Sequence, residues 1–225
     1  MMTLHGFAAS NYYNLVKHAL LYKELPFKEN LIYPSSEALL AVSPAGKVPV
    51  LTTLDGLNIS ESSVICDFIE ETYPEIALYP ANASERATVR QIMKMAELYF
   101  ELPSRRLIPY AFTGTEAPES VKAEVRQVLA RGITGLNRLC QFSPWVAGEQ
   151  FTMADIYLYY VNTIVSAFGS SQLNWDVLAE VAGMKPWNDS MSQSAIAQKV
   201  EADRQANMPE FMQKVTAQIQ AANAV

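Results

Sequence analysis

Cysteine and histidine are scarce in this chain of 225 residues: Cys66 and Cys140, His5 and His18. The two cysteines make neither a CxxC pair nor a disulfide framework, and both read as buried structural thiols. Two histidines cannot build a His-rich metal site, and no metal is expected. A basic excess is also missing. Lys and Arg number 17 against 23 Asp and Glu, a net charge of −6, which argues against a nucleic-acid binder. No apolar run approaches the roughly 20 residues needed to span a bilayer. The N-terminus lacks the basic and then apolar regions of a signal peptide. The chain therefore reads as soluble and cytoplasmic, in a reducing compartment. What is present is apolar: 50% of residues are hydrophobic and 18% charged, enough for a packed core. The length suits one large domain or two small ones.

Periodicity sets the order of elements. Thr3 to Phe7 reads as a strand, and Asn11 to Glu24 as a helix with Ser10 or Asn11 as cap. Phe27 to Tyr33 is a second strand and Glu37 to Val42 a brief helix. Val50 to Leu54 and Leu57 to Ser60 are strands joined by the hairpin dipeptide Asp55-Gly56. Ser62 to Tyr73 is a helix with Val64, Ile65, Phe68 and Ile69 on one face. The first part is thus β-α-β-α-β-β-α over residues 1–78. A linker at 79–84 follows, and then an all-helical domain over 85–225. There the pattern predicts helices over Arg86 to Phe112, bent or broken at Pro103 or Pro109, and over Pro118 to Phe142. Further helices are expected over Thr152 to Phe168, Asn174 to Ala182, Pro186 to Gln198 and Pro209 to Ala222, with a fraying Ala/Gln-rich end. Arg86, Arg90, Lys94, Arg105 and Arg106 fall in one segment and read as a solvated face or an anion surround.

The run Ser43-Pro44-Ala45-Gly46-Lys47-Val48-Pro49-Val50-Leu51 leads a Pro/Gly turn into a short strand. Pro49 cannot donate to a sheet ladder, so it belongs at a strand start. It is also a place where a cis peptide serves. Glu61-Ser62 opens the third helix. Far downstream, Gly148-Glu149-Gln150-Phe151-Thr152-Met153-Ala154-Asp155-Ile156 carries a capping box. Thr152 and Asp155 exchange bonds across the first turn, with Phe151 and Ile156 at staple positions.

Together these motifs resemble the glutathione transferase superfamily over nearly the whole chain. The resemblance implies a thioredoxin-like domain followed by an all-helical one, with the capping box a structural device. It implies glutathione as co-substrate and an apolar electrophile as its partner substrate. Val48, next to a cis Pro49, would pair its backbone with the cysteinyl part of glutathione. Lys47 would meet the glycyl carboxylate. Ser62 would take the γ-glutamyl carboxylate at a helix N-terminus, and Glu61 the ammonium. A free thiol has a pKa near 8.5, so the chemistry needs a donor aimed at the sulfur. Ser10 stands where the resembling Ser-type enzymes keep their activating hydroxyl. Asn11, Tyr12 and Tyr13 are its rivals. No cysteine stands at the strand-to-helix junction, unlike the Cys-type branches. Tyr12, Tyr99, Arg106, Tyr110 and Phe168 are expected to wall the electrophile. A homodimer is implied, with Glu97 or Glu101 reaching the neighbour's ligand. The leading reading is a glutathione S-transferase engaged in detoxification. The alternatives are a glutathione-dependent isomerase, dehalogenase or peroxidase, or a non-catalytic interaction module.

Overall fold

The computed structural model describes residues 1–34 and 36–223; the last two residues of the expected fraying end lie outside them. Strands β1 (Met2–Gly6), β2 (Phe27–Leu31), β3 (Val50–Thr52) and β4 (Asn58–Ser60) form one sheet of order β2-β1-β3-β4. β1 runs parallel to β2 and antiparallel to β3, and β3 is antiparallel to β4. A parallel pair needs a crossover, and α1 (Asn11–Tyr22) supplies it. α2 (Glu37–Leu40) and α3 (Ser62–Thr72) complete the β-α-β-α-β-β-α order.

β1 shows why the pattern was readable. Met2, Leu4 and Gly6 are buried while Thr3 and His5 are half-buried, the period of two that a strand imposes. His5 sits on the polar side of the sheet. Its Nδ1 accepts from Asn30 Nδ2 at 2.9 Å and its Nε2 lies 2.7 Å from Thr52 Oγ1. The Thr52 hydroxyl in turn donates to Asn58 Oδ1 at 2.6 Å. That chain of bonds fits a neutral imidazole bridging three strands. At Gly6 the ring of Tyr13 lies so close that a Cβ would collide with it. Tyr13 is buried, and its hydroxyl donates to Glu29 Oε2 at 2.6 Å.

By contacts the chain divides into two compact units. The first is Met1–Ala77 with Ser194–Thr216, and the second is Leu78–Gln193 with the chain end from Ala217. The first unit therefore takes in part of a C-terminal helix that sequence patterning groups with the helical domain. The expected linker at 79–84 is also tied down. Leu78 O accepts from Met153 N at 2.8 Å, and the Arg86 and Arg90 guanidinium groups lie 5.4 and 5.2 Å from the buried Tyr79 ring.

The second unit is helical. α4 (Ala83–Ala96) starts on Asn82, whose Oδ1 accepts from Ser84 and Glu85 N–H groups. The long helix expected to Phe112 is interrupted as its prolines require. A π-helical turn at Glu97–Glu101 precedes α5 (Leu102–Arg105), and α6 (Ile108–Thr113) begins at the second proline. Pro103 lacks an N–H, and its ring presses on the carbonyl of the turn before it, which is where the helix widens. α7 (Glu119–Leu139) and α8 (Met153–Ile164) follow, and α8 runs on as a π-helical stretch, Val165–Leu173. Two expectations are corrected. Asn174 to Ala182 forms only a 3₁₀ turn at Val177–Glu180. The two helices expected over Pro186 to Gln198 and Pro209 to Ala222 are instead α9 (Met184–Ser192) and α10 (Ala195–Asn223). Ser194 Oγ accepts from Ala197 N and restarts the chain as α10. Pro209 then lies inside α10, where Gln205 and Pro209 are both exposed and water can serve the carbonyl left without a helical donor.

Asp155 anchors the second unit. The capping box is formed: Thr152 N donates to Asp155 Oδ2 at 2.8 Å and the Thr152 hydroxyl to the same oxygen at 3.2 Å. Asp155 Oδ1 also accepts from Val146 N at 2.9 Å and Trp187 Nε1 at 3.1 Å. This carboxylate joins a loop, α8 and α9, more than a cap alone. Burial pushes its pKa up, and the four donors pull against that shift. Asp155→Ala leaves buried donors unpaired, and a loss of about 2–5 kcal/mol is expected in the unfolding free energy of the second unit, read from urea denaturation. In α1, burial pushes the His18 imidazole down to about 4. A depressed basic group binds its proton less well folded than unfolded, so its contribution is present above pH 6.5 and lost as pH falls towards 4. The loss is on the order of 3 kcal/mol. Denaturation midpoints across that window should fall less steeply for His18→Leu than for the parent.

Candidate functional site

The strand register gathers the candidate residues of the first unit. His5 pairs with Val50, and Val50 with Ser60. The exit of β1 towards Ser10, the entry of β3 from Val48-Pro49, and the exit of β4 into Glu61-Ser62 therefore share one edge of the sheet. β2 ends there too, since Gly6 pairs with Leu31 and Ile32 N donates to Gly6 O at 3.0 Å.

Ser10 is half-buried and caps α1, with φ −85° and ψ 120°. Its Oγ accepts from Tyr13 N at 3.4 Å, a long bond. An oxygen used this way can still turn its proton outward to an anion. No acidic residue lies in the first turn of α1, so the positive end of its dipole is not offset there. The preceding loop is held at successive positions. Ser10 N donates to Phe7 O at 3.0 Å, Asn14 Nδ2 to Ala8 O at 2.8 Å, and Ala9 N to Asn207 Oδ1 at 3.0 Å. Of the rival donors, Tyr13 is corrected: its phenol is committed to Glu29, and burial first and that carboxylate second push its pKa far up. Asn11 is buried inside the start of α1, and Tyr12 is half-buried.

The Val48–Pro49 peptide bond is cis. Ser43 fixes the loop before it. The buried Ser43 Oγ accepts from Lys47 N at 3.0 Å and donates to Lys47 O at 2.8 Å. The Lys47 side chain is exposed, and Val48 packs partly against Ile32, Leu39 and Val50.

α3 begins at Ser62, with Glu61 as its N-cap. Glu61 makes no side-chain cap bond, and no acidic residue lies in the first turn. The N-cap side chain thus does not close this helix end. Glu61 is exposed at φ 68°, a conformation that strains a residue with a Cβ. Ser62 is buried beside it.

The remaining candidates are more dispersed. Tyr12 belongs to the first unit; Tyr99, Arg106, Tyr110 and Phe168 belong to the second. Phe168 meets Phe112 edge-on at 6.0 Å, and Arg106 pairs with Glu124 at 2.6 Å. Glu101 is corrected as a group reaching out of the chain: it is fully buried and accepts from Arg105 Nε at 2.6 Å. Glu97 takes Lys94 at 2.6 Å. The cationic segment is thus spent on carboxylates and on the Tyr79 ring. Burial raises Cys66, and it raises Cys140 to about 12, so neither is a thiolate near neutrality. Among the described residues no cluster of His, Cys, Asp and Glu could hold a metal ion, and no helix is long and apolar enough to cross a membrane. A groove of about 350 Å³ in the second unit is lined by Glu85, Thr88, Gln141, Glu149 and Gln150, none of them a candidate from the sequence.

Residues 4–77 match the family described as glutathione S-transferase, N-terminal domain. A glutathione S-transferase of Pseudomonas putida is 42% identical over 96% of this chain and 98% of its own. The chain belongs to the glutathione S-transferase family. As a member it is an enzyme with glutathione as co-substrate. A maleylacetoacetate isomerase of Pseudomonas aeruginosa is 25% identical over 81% of this chain and 90% of its own. A glutathione S-transferase of Methylobacterium radiotolerans, solved with glutathione sulfonate, superposes with a TM-score of 0.73. It is 21% identical and covers 88% of this chain and 93% of its own.

Sequence reasoning missed three residues of this transferase. Ser43 carried a usable signal, a serine before a Pro-initiated turn. Asn14 and Asn207 carried none, because each acts on backbone that only the fold brings near. Ser43→Ala should lower the unfolding free energy of the first unit, read from urea denaturation, by about 1–3 kcal/mol, because Lys47 N loses its partner in the loop.

Proposed function

We propose that the enzyme conjugates glutathione to apolar electrophiles and that Ser10 activates the thiol. The observation that carries this is the shared sheet edge: a serine-capped helix start, an extended Val48-Pro49 segment and an uncapped helix start at Ser62. Glutathione is a small peptide with anionic ends and a thiol, and each part has a matching group on that edge. The N–H groups at the start of α3, with the Ser62 hydroxyl, take the γ-glutamyl carboxylate. Glu61 takes the ammonium. Val48 pairs with the cysteinyl backbone as an added strand, and Lys47 meets the glycyl carboxylate. The thiol then lies towards α1, where the Ser10 proton and the helix dipole favour the anion over the thiol.

The thiolate attacks the electrophilic carbon. The carbon–sulfur bond forms, and the leaving group departs with its electron pair. With an activated double bond, the adjacent carbon instead takes a proton from water. Tyr12, half-buried in the first turn of α1, is the proposed contact with the electrophile in the first unit. The exposed Leu98 and Leu102 support pairing of two copies.

A second reading is glutathione-dependent isomerisation, favoured by the relative from Pseudomonas aeruginosa. There the same thiolate adds to a double bond and leaves after rotation, so glutathione is returned unchanged. Steady-state kinetics and calorimetry separate the roles. Ser10→Ala should lower kcat about 10–100-fold at neutral pH while glutathione affinity stays near its original value. Ser62→Ala should weaken glutathione binding about tenfold. If Ser10→Ala lost affinity and kept turnover per bound ligand, Ser10 would be a cap and not an activator.

A further inference from the structure

We propose that Asn207, near the far end of the chain, is a positioning residue for Ser10. This rests on the reading of Ser10 as thiol activator. Residues 194–216 of α10 belong to the same compact unit as the sheet. Asp203, Asn207, Phe211 and Lys214 recur at steps of four, four and three, so they lie along one face of α10.

Each residue of that face meets the region around the β1 exit. Asp203 Oδ2 takes the buried Lys17 of α1 at 2.8 Å, and Lys17 also holds Glu29 at 2.6 Å. Phe211 stacks on Phe7 at 5.3 Å with an interplanar angle of 18°. Phe7 stacks in turn on Tyr33 at 5.0 Å, and Lys214 Nζ lies 4.6 Å from the Tyr33 ring centre.

Asn207 stands in the middle of this contact and uses both ends of its amide. Oδ1 accepts from Ala9 N at 3.0 Å, and Nδ2 donates to the Tyr33 hydroxyl at 2.7 Å. Ala9 N–H can only donate, so the first bond fixes which way the amide faces, and the Tyr33 hydroxyl accepts from the nitrogen left on the other side. Ala9 directly precedes Ser10, and the Ala8–Ala9 peptide that carries its N–H, held at Ala8 O by Asn14 and at Ala9 N by Asn207, sets how the chain enters Ser10. Phe7 O and Ala8 O are held from within the β1–α1 segment, by Ser10 N and Asn14. The Ala9 N–H is held from α10, a segment 198 residues away in sequence. A hydrogen bond to a thiolate weakens steeply when its angle opens. A small turn of the Ala9 peptide therefore changes how well Ser10 stabilises the anion, without touching the groups proposed to bind the ends of glutathione.

The test is the pKa of enzyme-bound glutathione, read from ultraviolet thiolate absorbance against pH, together with kcat and KM. The proteins are the full-length parent, Asn207→Leu, Asn207→Asp and Ser10→Ala. Asn207→Leu should raise the bound thiol pKa by about one unit, with about a tenfold loss of kcat below that pKa. Its KM for glutathione should stay within about twofold. Asn207→Asp keeps an acceptor for Ala9 N and should restore most of the shift. A well-folded Asn207→Leu with an unmoved thiol pKa overturns the proposal. If Asn207→Leu does not fold, Asn207→Gln carries the same expectation, because its extra methylene moves the oxygen off Ala9 N. Ser10→Ala separates the two readings. A shift in Ser10→Ala with none in the Asn207 variants defeats the role of Asn207 alone. No shift in Ser10→Ala defeats the activator reading and the Asn207 role with it.

Discussion

The pairing of β1 with β3, and of β3 with β4, is the constraint on which the site depends. Because His5 lies opposite Val50 and Val50 opposite Ser60, three separate chain segments end at one edge of the sheet. A slip of one residue would reverse the faces of the strand and bury its polar side. The alternation along β1 and the bridge from Asn30 through His5 to Thr52 and Asn58 both oppose that slip. The sheet thus fixes the spacing between two helix starts and an extended segment before any ligand arrives.

Those helix starts differ in a way their chemistry explains. α1 is closed by Ser10, though by a long bond, while the Glu61 N-cap makes no side-chain cap bond to α3. A cap without that bond and a strained φ at Glu61 both lower the stability of a helix end. Stability is supplied elsewhere, at interior positions such as the Lys23–Glu70 pair, where Lys23 also donates to Ile76 O at 2.6 Å. Asp155 does the same for the second unit with a fully buried carboxylate.

Much of this was legible in the sequence, and the reasons are local. β1 alternates, the Asp55-Gly56 turn is short, and the Ser43-to-Leu51 run and Glu61-Ser62 carry their own backbone instructions. The capping box at Thr152 and Asp155 is likewise a signal within four residues. What was not legible depends on partners far away. Trp187 adds to Asp155 from α9. Asn207 reaches Ala9 from a helix that patterning had divided at Pro209. Proline is read as a helix breaker because it normally is, but an exposed turn lets water serve the orphaned carbonyl. The burial of Glu101 was not legible because the π-helical turn that carries it has no periodic signature.

If glutathione lies along this sheet edge with its sulfur on Ser10, a crystal structure with reduced glutathione shows it directly. The sulfur is predicted about 3.0–3.5 Å from Ser10 Oγ, with the γ-glutamyl carboxylate on the N–H groups at the start of α3. A sulfur seated on Tyr12, or a ligand bound away from Ser62, would contradict it.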